Sequence, residues 1–421
     1  MRNELQFCLV RTMLVALLAA CTSCGQRQSP NTTGANSISN KLAAITQAGQ
    51  PVTTKELNDW YPAPPNADNA AELYAQAFAA LTQDDPKTPA FLSRNPSAVQ
   101  LLLQAAERKS CRYPVDFSAG FSTELPHLKN IKKCAILLET EAASQASQGH
   151  TDRSTRAVLA GLRLARSLEN EPMQMSQLIR FVAERSALSG LERAITHKAF
   201  TGDELVSLQT ALRNTGGPEP FAHALAGERC AIIAIFKAPL KEMIRVLFGT
   251  EAQFADYQKR PIWQEDFNFA LDCCVSLVAA AEKPFPEAFA GIADFDKRME
   301  GAKAKGLLLS GGTLSAMKTC FAKAGEATAR IRVAQMALAV ERHRLKHGNV
   351  LPNSLDVLVP ELIESVLIDP FGGEPLRYEK LADGGYVVYS VGKDRRDDHG
   401  ASAPAGVKDS ASPDITFAVR R

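Results

Sequence analysis

The chain has 421 residues, of which 45% are hydrophobic and 22% charged, with a formal net charge of +2. That length supports two or three domains and a sizeable core, and the composition is that of an ordinary globular protein. A near-neutral balance excludes a dedicated nucleic-acid binder, which carries a strong basic excess. No basic cluster is long enough to grip an anionic membrane by charge alone.

The N-terminus carries an address. Arg2 and Arg11 flank a weakly charged start, and Met13 to Ala20 is an uninterrupted apolar run. It falls far short of the roughly 20 residues of a spanning helix, so residues 1–20 read as a signal peptide. The run ends in Leu18-Ala19-Ala20-Cys21, which resembles the lipobox of bacterial lipoproteins. The resemblance implies cleavage before Cys21, its diacylation, and acylation (typically with palmitate) of the new amino group. Each buried CH₂ of such chains adds about 0.8 kcal/mol of membrane affinity. Thr22, rather than Asp, follows the cysteine, which implies an outer-membrane address facing the periplasm. The competing reading is an ordinary signal peptide cut near Cys24 or Gly25.

Cys21 and Cys24 also stand at the C-x-x-C redox spacing, but without the βαβ context that motif needs. Cys111, Cys134, Cys230, Cys273, Cys274 and Cys320 follow. In an oxidising compartment pairs such as Cys111–Cys134 can form, while the apolar, helical surroundings suit buried free thiols equally well. No Cys/His spacing of a zinc site occurs.

Residues 21–40 are polar and nearly free of large apolar groups, the composition of a flexible tether. Residues 41–312 read as an α-helical domain. Apolar positions at helical spacing predict helices over Asn69 to Leu81, Ser97 to Arg108 (Ser97 as N-cap), Leu125 to Gln148, Asp152 to Leu168, Met173 to His197, Asp203 to Leu212, Glu219 to Leu247, Ala252 to Glu282 and Pro284 to Met299. Strand signals are sparse, no repeat period is sustained, and paired antiparallel helices are the natural packing. Within this stretch Glu171, Arg180, Glu184 and Arg185 mark a charged helical face expected to be solvated. Asp59-Trp60-Tyr61-Pro62 reads as an aromatic segment packed over the helical body, with a ligand-facing loop as the alternative.

Residues 313–421 change character. A long helix is expected from Leu314 to Lys346, with Gly348 near its C-terminal end and Leu351-Pro352 stopping it. Ser354 to Leu358 reads as a short capped helix. Leu376 to Glu379 and Tyr386 to Val391 read as a hairpin, and Ile415 to Val419 as a third strand. The succession Leu351-Pro352, Asp369-Pro370-Phe371-Gly372-Gly373, Tyr389-Ser390-Val391-Gly392-Lys393-Asp394 and Asp414-Ile415 resembles the C-terminal part of the major pseudopilins of type II secretion systems. The resemblance implies a long helix carrying about three antiparallel strands, and a calcium loop before the last strand. Matched residue by residue, Asp394 and Asp414 fall on the family's aspartates, with Asp397 and Asp398 offering further oxygen ligands for Ca²⁺. Arg395 and Arg396 depart from the pattern, and so do the lipobox and the long helical body, which argue against a filament subunit.

Enzyme signatures such as G-x-S-x-G, the P-loop, H-E-x-x-H and the dinucleotide fingerprint do not occur. His343 and His347 lie four apart on the long helix, but Arg342, Arg344 and Lys346 around them repel a cation, and a surface helix end is expected. The chain thus reads as mainly α, a helical bundle or irregular α-solenoid followed by a small α+β pseudopilin-like domain. The functional expectation is a lipid-anchored envelope protein with a binding or assembly role, protein partners in the envelope, no nucleic acid, and a link by resemblance to a secretion or pilus-like apparatus. The alternative is an envelope hydrolase with its active site in the helical domain.

Overall fold

The computed structural model describes residues 33–401 and 414–421, apart from positions 87, 89, 198, 216 and 239. Cys21 and the signal peptide lie outside the described residues. Ten helices carry the architecture: α1 Thr33–Gln47, α2 Ala71–Ala80, α3 Pro96–Ala106, α4 His127–Ser147, α5 Thr151–Arg166, α6 Gln174–His197, α7 Gly202–Arg213, α8 Glu219–Lys237, α9 Pro261–Ala281 and α10 Ser315–Lys346. Three strands follow: β1 Arg377–Lys380, β2 Tyr386–Ser390 and β3 Ile415–Val419. The fold is mainly helical with a small three-stranded antiparallel sheet near the C-terminus, in the order β1-β2-β3.

Prolines decide where the predicted helices break. The run expected from Glu219 to Leu247 stops at Lys237, and a short helix restarts at Lys241. Pro239 follows Ala238 in the sequence, and a residue before proline is driven out of the helical region. The run expected from Ala252 to Glu282 is likewise divided, with Pro261 opening α9 at its first turn, the position where a missing N–H costs nothing. Ser97 is not a cap: Pro96 already starts α3 and Asn95 precedes it. Residues 33–40, expected in the tether, belong to α1. Ile38 and Leu42 pack onto the core around α9, and Lys41 pairs with Asp272 at 2.7 Å.

Three apolar cores meet along α6. One lies among α2, α3, α4 and the aromatic segments around Tyr61 and Tyr113. A second joins α8, α9 and the first half of α10. The third joins α4 to α7 with the second half of α10 and the sheet, through Leu191, Leu208, Leu338, Tyr386 and Phe417. Residues beyond 313 therefore share a core with the helices before them. The seam is also hydrogen-bonded: Ala418 N donates to Glu192 Oε1 at 2.6 Å, and Arg421 donates to Ile195 O at 2.7 Å and to Glu341 Oε2 at 3.1 Å.

All five residues of β2 are buried. Its inner face lies on α10, where Tyr386 OH donates to Ala337 O at 3.0 Å. Its outer face is covered by the loop after it, whose Gly400 approaches Val387 and Tyr389 at positive φ. The two halves of the tail motif touch: buried Asp369 accepts from Phe371 N at 2.9 Å and Ser390 Oγ at 2.8 Å through Oδ1, and from Val391 N at 2.8 Å through Oδ2.

The aromatic segment packs as expected, with Tyr61 buried and Trp60 stacked on His223 at 3.8 Å. One close approach fixes α8. A Cβ at Gly227 would stand 1.9 Å from the Pro172 carbonyl oxygen, a backbone contact that no rotamer relieves. Gly227→Ala is expected to cost about 1–3 kcal/mol, seen as a lower urea midpoint; an unchanged midpoint would mean that α8 does not seat on Pro172.

Candidate functional site

Helix α6 leaves only Val182, Arg185, Arg193 and His197 exposed, so its polar residues must find partners inside the protein. At its N-terminal end Glu171 is fully buried. It accepts from Ser176 Oγ, and its two oxygens lie 3.2 and 3.1 Å from His127 Nε2. The His127 ring stacks on Tyr113 at 4.2 Å, and Tyr113 OH lies 2.8 Å from Ser167 Oγ. One turn on, Gln177 Nε2 donates to Leu168 O at 2.9 Å, and its Oε1 accepts from Arg180 Nε at 2.6 Å. Arg180 Nη1 then donates to Glu184 Oε1 at 2.8 Å. Residues 177, 180 and 184 share one stripe of the helix, and this stripe is buried rather than solvated. Arg180 and Glu184 are 3% and 1% exposed. Of the charged face expected from sequence, Arg185 alone reaches solvent, because neighbouring helices cover the rest.

The hydroxyl, carboxylate and imidazole of Ser176, Glu171 and His127 are in the wrong order for nucleophilic catalysis. A working triad puts the imidazole between hydroxyl and carboxylate so that it can take the hydroxyl proton. Here the carboxylate stands in the middle, and the group is sealed beneath Tyr113. It is a structural network.

The other end of the stripe opens into a cleft of about 120 Å³. Arg180, Phe181 and Glu184 of α6 form one wall, Pro218 and Phe221 at the start of α8 a second, Lys283 to Phe285 a third, and Ala324 to Arg332 of α10 the fourth. The Arg180 guanidinium lies 4.9 Å from the Phe181 ring centre. Its Nη2 makes no hydrogen bond among the described residues, since Nε and Nη1 take its two partners. Arg332 is held on carbonyls: Nη1 donates to Ile368 O at 2.6 Å, and both Nη atoms reach Phe285 O at 3.4 Å. Burial pushes the Arg332 guanidinium below its ordinary pKa, against the pull of Asp369 and Glu287. Burial also raises the Glu184 carboxyl above the usual range, opposed by Arg180. Glu184 Oε2 is buried and has no hydrogen-bond partner.

Comparison with protein-family models, with curated proteins and with solved structures finds no match to this chain. Its chemistry has to be read from its own residues.

The remaining residues singled out in the sequence lie away from the cleft, with Asp397, Asp398 and Asp414 close to one another. Asp394 Oδ1 accepts from Arg396 N at 3.1 Å within its own turn. Asp397 is held by Arg377 Nε at 3.0 Å, Tyr389 OH at 3.1 Å and His399 N at 3.0 Å. Asp414 Oδ2 accepts from Asp398 N at 3.1 Å and Gly400 N at 2.8 Å, while its Oδ1 is buried and unpartnered. Among the described residues no three acidic, histidine or cysteine side chains surround a common point. His343 is not at the surface: it is 8% exposed, its ring stacked on His347 at 4.0 Å. Cys111, Cys134, Cys230, Cys273, Cys274 and Cys320 are free thiols. Among the described residues no helix is long and apolar enough to cross a membrane.

Lys283 and Arg332 carried no signal in the sequence, because they reach the cleft from segments far from α6 along the chain. Glu184 and Arg180 were visible only as an i,i+4 pair. Removing one member of a buried ion pair strands the other and typically costs about 3–5 kcal/mol, whereas replacing both with apolar groups is often neutral. Arg180→Met alone is therefore expected to lose several kcal/mol in urea unfolding, and the double variant Arg180→Met/Glu184→Leu to recover most of it. Additive losses would mean that the pair is solvated.

Proposed function

We propose that this chain is a lipid-anchored envelope protein that works by binding, and that the cleft between α6, α8 and α10 is where it binds. The observation that carries this reading is the buried Arg180–Glu184 pair at the edge of an apolar-walled cleft. Ligand sites are typically concave, mostly apolar, and equipped with a few fixed polar groups. The lipobox-like Leu18-Ala19-Ala20-Cys21 supports the envelope address, and the pseudopilin-like tail supports an assembly role beside a secretion or pilus-like apparatus. The membrane enters as a partner through the anchor, and envelope proteins through the folded body. A hydrolase reading draws on one observation, the raised Glu184 carboxyl in the cleft; retained turnover of a substrate in wild type and its loss in Glu184→Gln would favour it.

The anchor is tested by metabolic labelling with palmitate. Label is expected in the wild-type protein and absent from Cys21→Ala, and equal labelling of both would remove the anchor. Calcium binding near Asp414 is a further proposal, supported by the unpartnered Oδ1 of that residue. It requires Asp394 and Asp397 to leave their present partners. A ligand that binds only the native state raises the melting midpoint, so calcium should raise the midpoint of the full chain above its value in chelator, and Asp414→Asn should remove the difference. Identical midpoints for the wild type would refute it.

A further inference from the structure

Glu228 of α8 is a buried carboxylate that meets no cation. It is 9% exposed, and its one hydrogen bond among the described residues is a long one from the first amide of α6, Gln174 N to Oε2 at 3.4 Å. The elements packed around it leave it without a countercharge. Helix α6 presents the neutral Gln174, whose Nε2 donates to Ala316 O at 3.1 Å and whose Oε1 is buried without a partner. Helices α9 and α10 present the thiols of Cys274 and Cys320, which burial holds protonated and which the Glu228 charge pushes further that way. Glu171, in the segment before α6, turns its carboxylate to His127 and Ser176. Arg229, the next residue along α8, points away to Gln50 and Pro51.

An ionised carboxylate taken out of water without a partner is costly. Only the Gln174 amide and the positive end of the α6 dipole offset that cost here, and burial raises the Glu228 carboxyl to about 7 against the pull of the amide. Protonation removes the cost and brings an O–H donor to the residue whose Oε1 lacks one. The carboxyl also sits where it can move something. The chain between α5 and α6, residues 167–173, is turn and coil. It is held to α8 at two adjacent points, the Pro172 carbonyl over Gly227 and the Gln174 amide on Glu228. We propose that Glu228 is a proton-operated latch on the entry to α6, seated when its carboxyl is protonated and released when it ionises. Release leaves the Gly227 contact and the Glu171 network in place, so it loosens this connection and not the helix.

The carboxyl titrates higher in the folded chain than the ordinary 4.5 of an unfolded one, so its contribution is complete in acid below about 4.5 and lost as pH rises through about 7. Hydrogen exchange on the full chain, read at the amides of Ser176 and Gln177 that bond back to Met173 O, follows the connection. Between about pH 5.5 and about pH 8.5 their protection factors are expected to fall at least about tenfold in the wild type, on the order of one pKa unit of differential stability. Glu228→Gln, neutral at every pH and of the same shape, should keep its protection. Glu184, further along α6, is also raised by burial, so the contrast between the two proteins assigns the effect and the wild-type trend alone does not. A carbon-13 titration of the wild-type carboxyls checks the latch without a variant: Glu228 should titrate near the pH at which protection is lost. An equal fall in both proteins, no fall in the wild type, or a Glu228 carboxyl that titrates in the ordinary range would overturn the latch. A fall as large at amides of α3 and α7 as at residues 176 and 177 would also overturn it, since that pattern marks loss of the whole fold.

Discussion

Helix α6 has almost no face left for water, and most of the molecule follows from that. A helix buried on nearly every side can hold polar residues only if other segments come to meet them. The loop at Glu171, the His127 end of α4 and the carbonyl of Leu168 do so at its N-terminal half. In the C-terminal half the fully buried residues are small or apolar, and Gly190 lets α4 approach so closely that an added Cβ would lie 3.1 Å from the Glu139 backbone. Arg180 and Glu184 stand between these regimes, where the packing of two of the cores leaves a gap. The cleft is thus a consequence of the crowding around it.

The same rule shapes the periphery, where single buried polar groups staple loops. Asp266, fully buried, accepts from Leu309 N at 2.9 Å, Ser310 N at 3.1 Å and Tyr257 OH at 2.7 Å, and so holds the start of the short helix Leu308–Thr313. Burial raises its carboxyl and these hydrogen bonds pull it back down. Asp369 does the equivalent work in the tail. Buried Arg229 donates to Gln50 Oε1 at 3.0 Å and to Pro51 O at 3.2 Å, locking the segment after α1 against α8. In each case one side chain replaces the regular ladder that an irregular loop lacks.

Helix positions were legible in the sequence to within a few residues wherever apolar spacing was long and uninterrupted, as in α4, α6 and α10. The hairpin and the third strand were legible as well, because alternating Tyr and Val between Gly-rich turns has few other solutions. Breaks at Pro239 and Pro261 were missed where apolar periodicity ran through them. Burial of Arg180 and Glu184 was illegible for another reason: an i,i+4 ion pair has the same pattern on a solvated face and under a neighbouring helix, and only tertiary packing separates the two. Lys283 and Arg332 could not be grouped with them, since nothing local relates residues so far apart. Asp369 was visible as part of a motif, but its hydrogen bonds to Ser390 and Val391 required the fold.

Helix α1 begins at Thr33 and is fastened through Lys41 and, beyond it, through the Arg229 clamp on residues 50 and 51. A pull on α1 is therefore resisted at two separate points, by Asp272 of α9 and by Arg229 of α8, so that helix cannot be peeled from the body without breaking contacts to both.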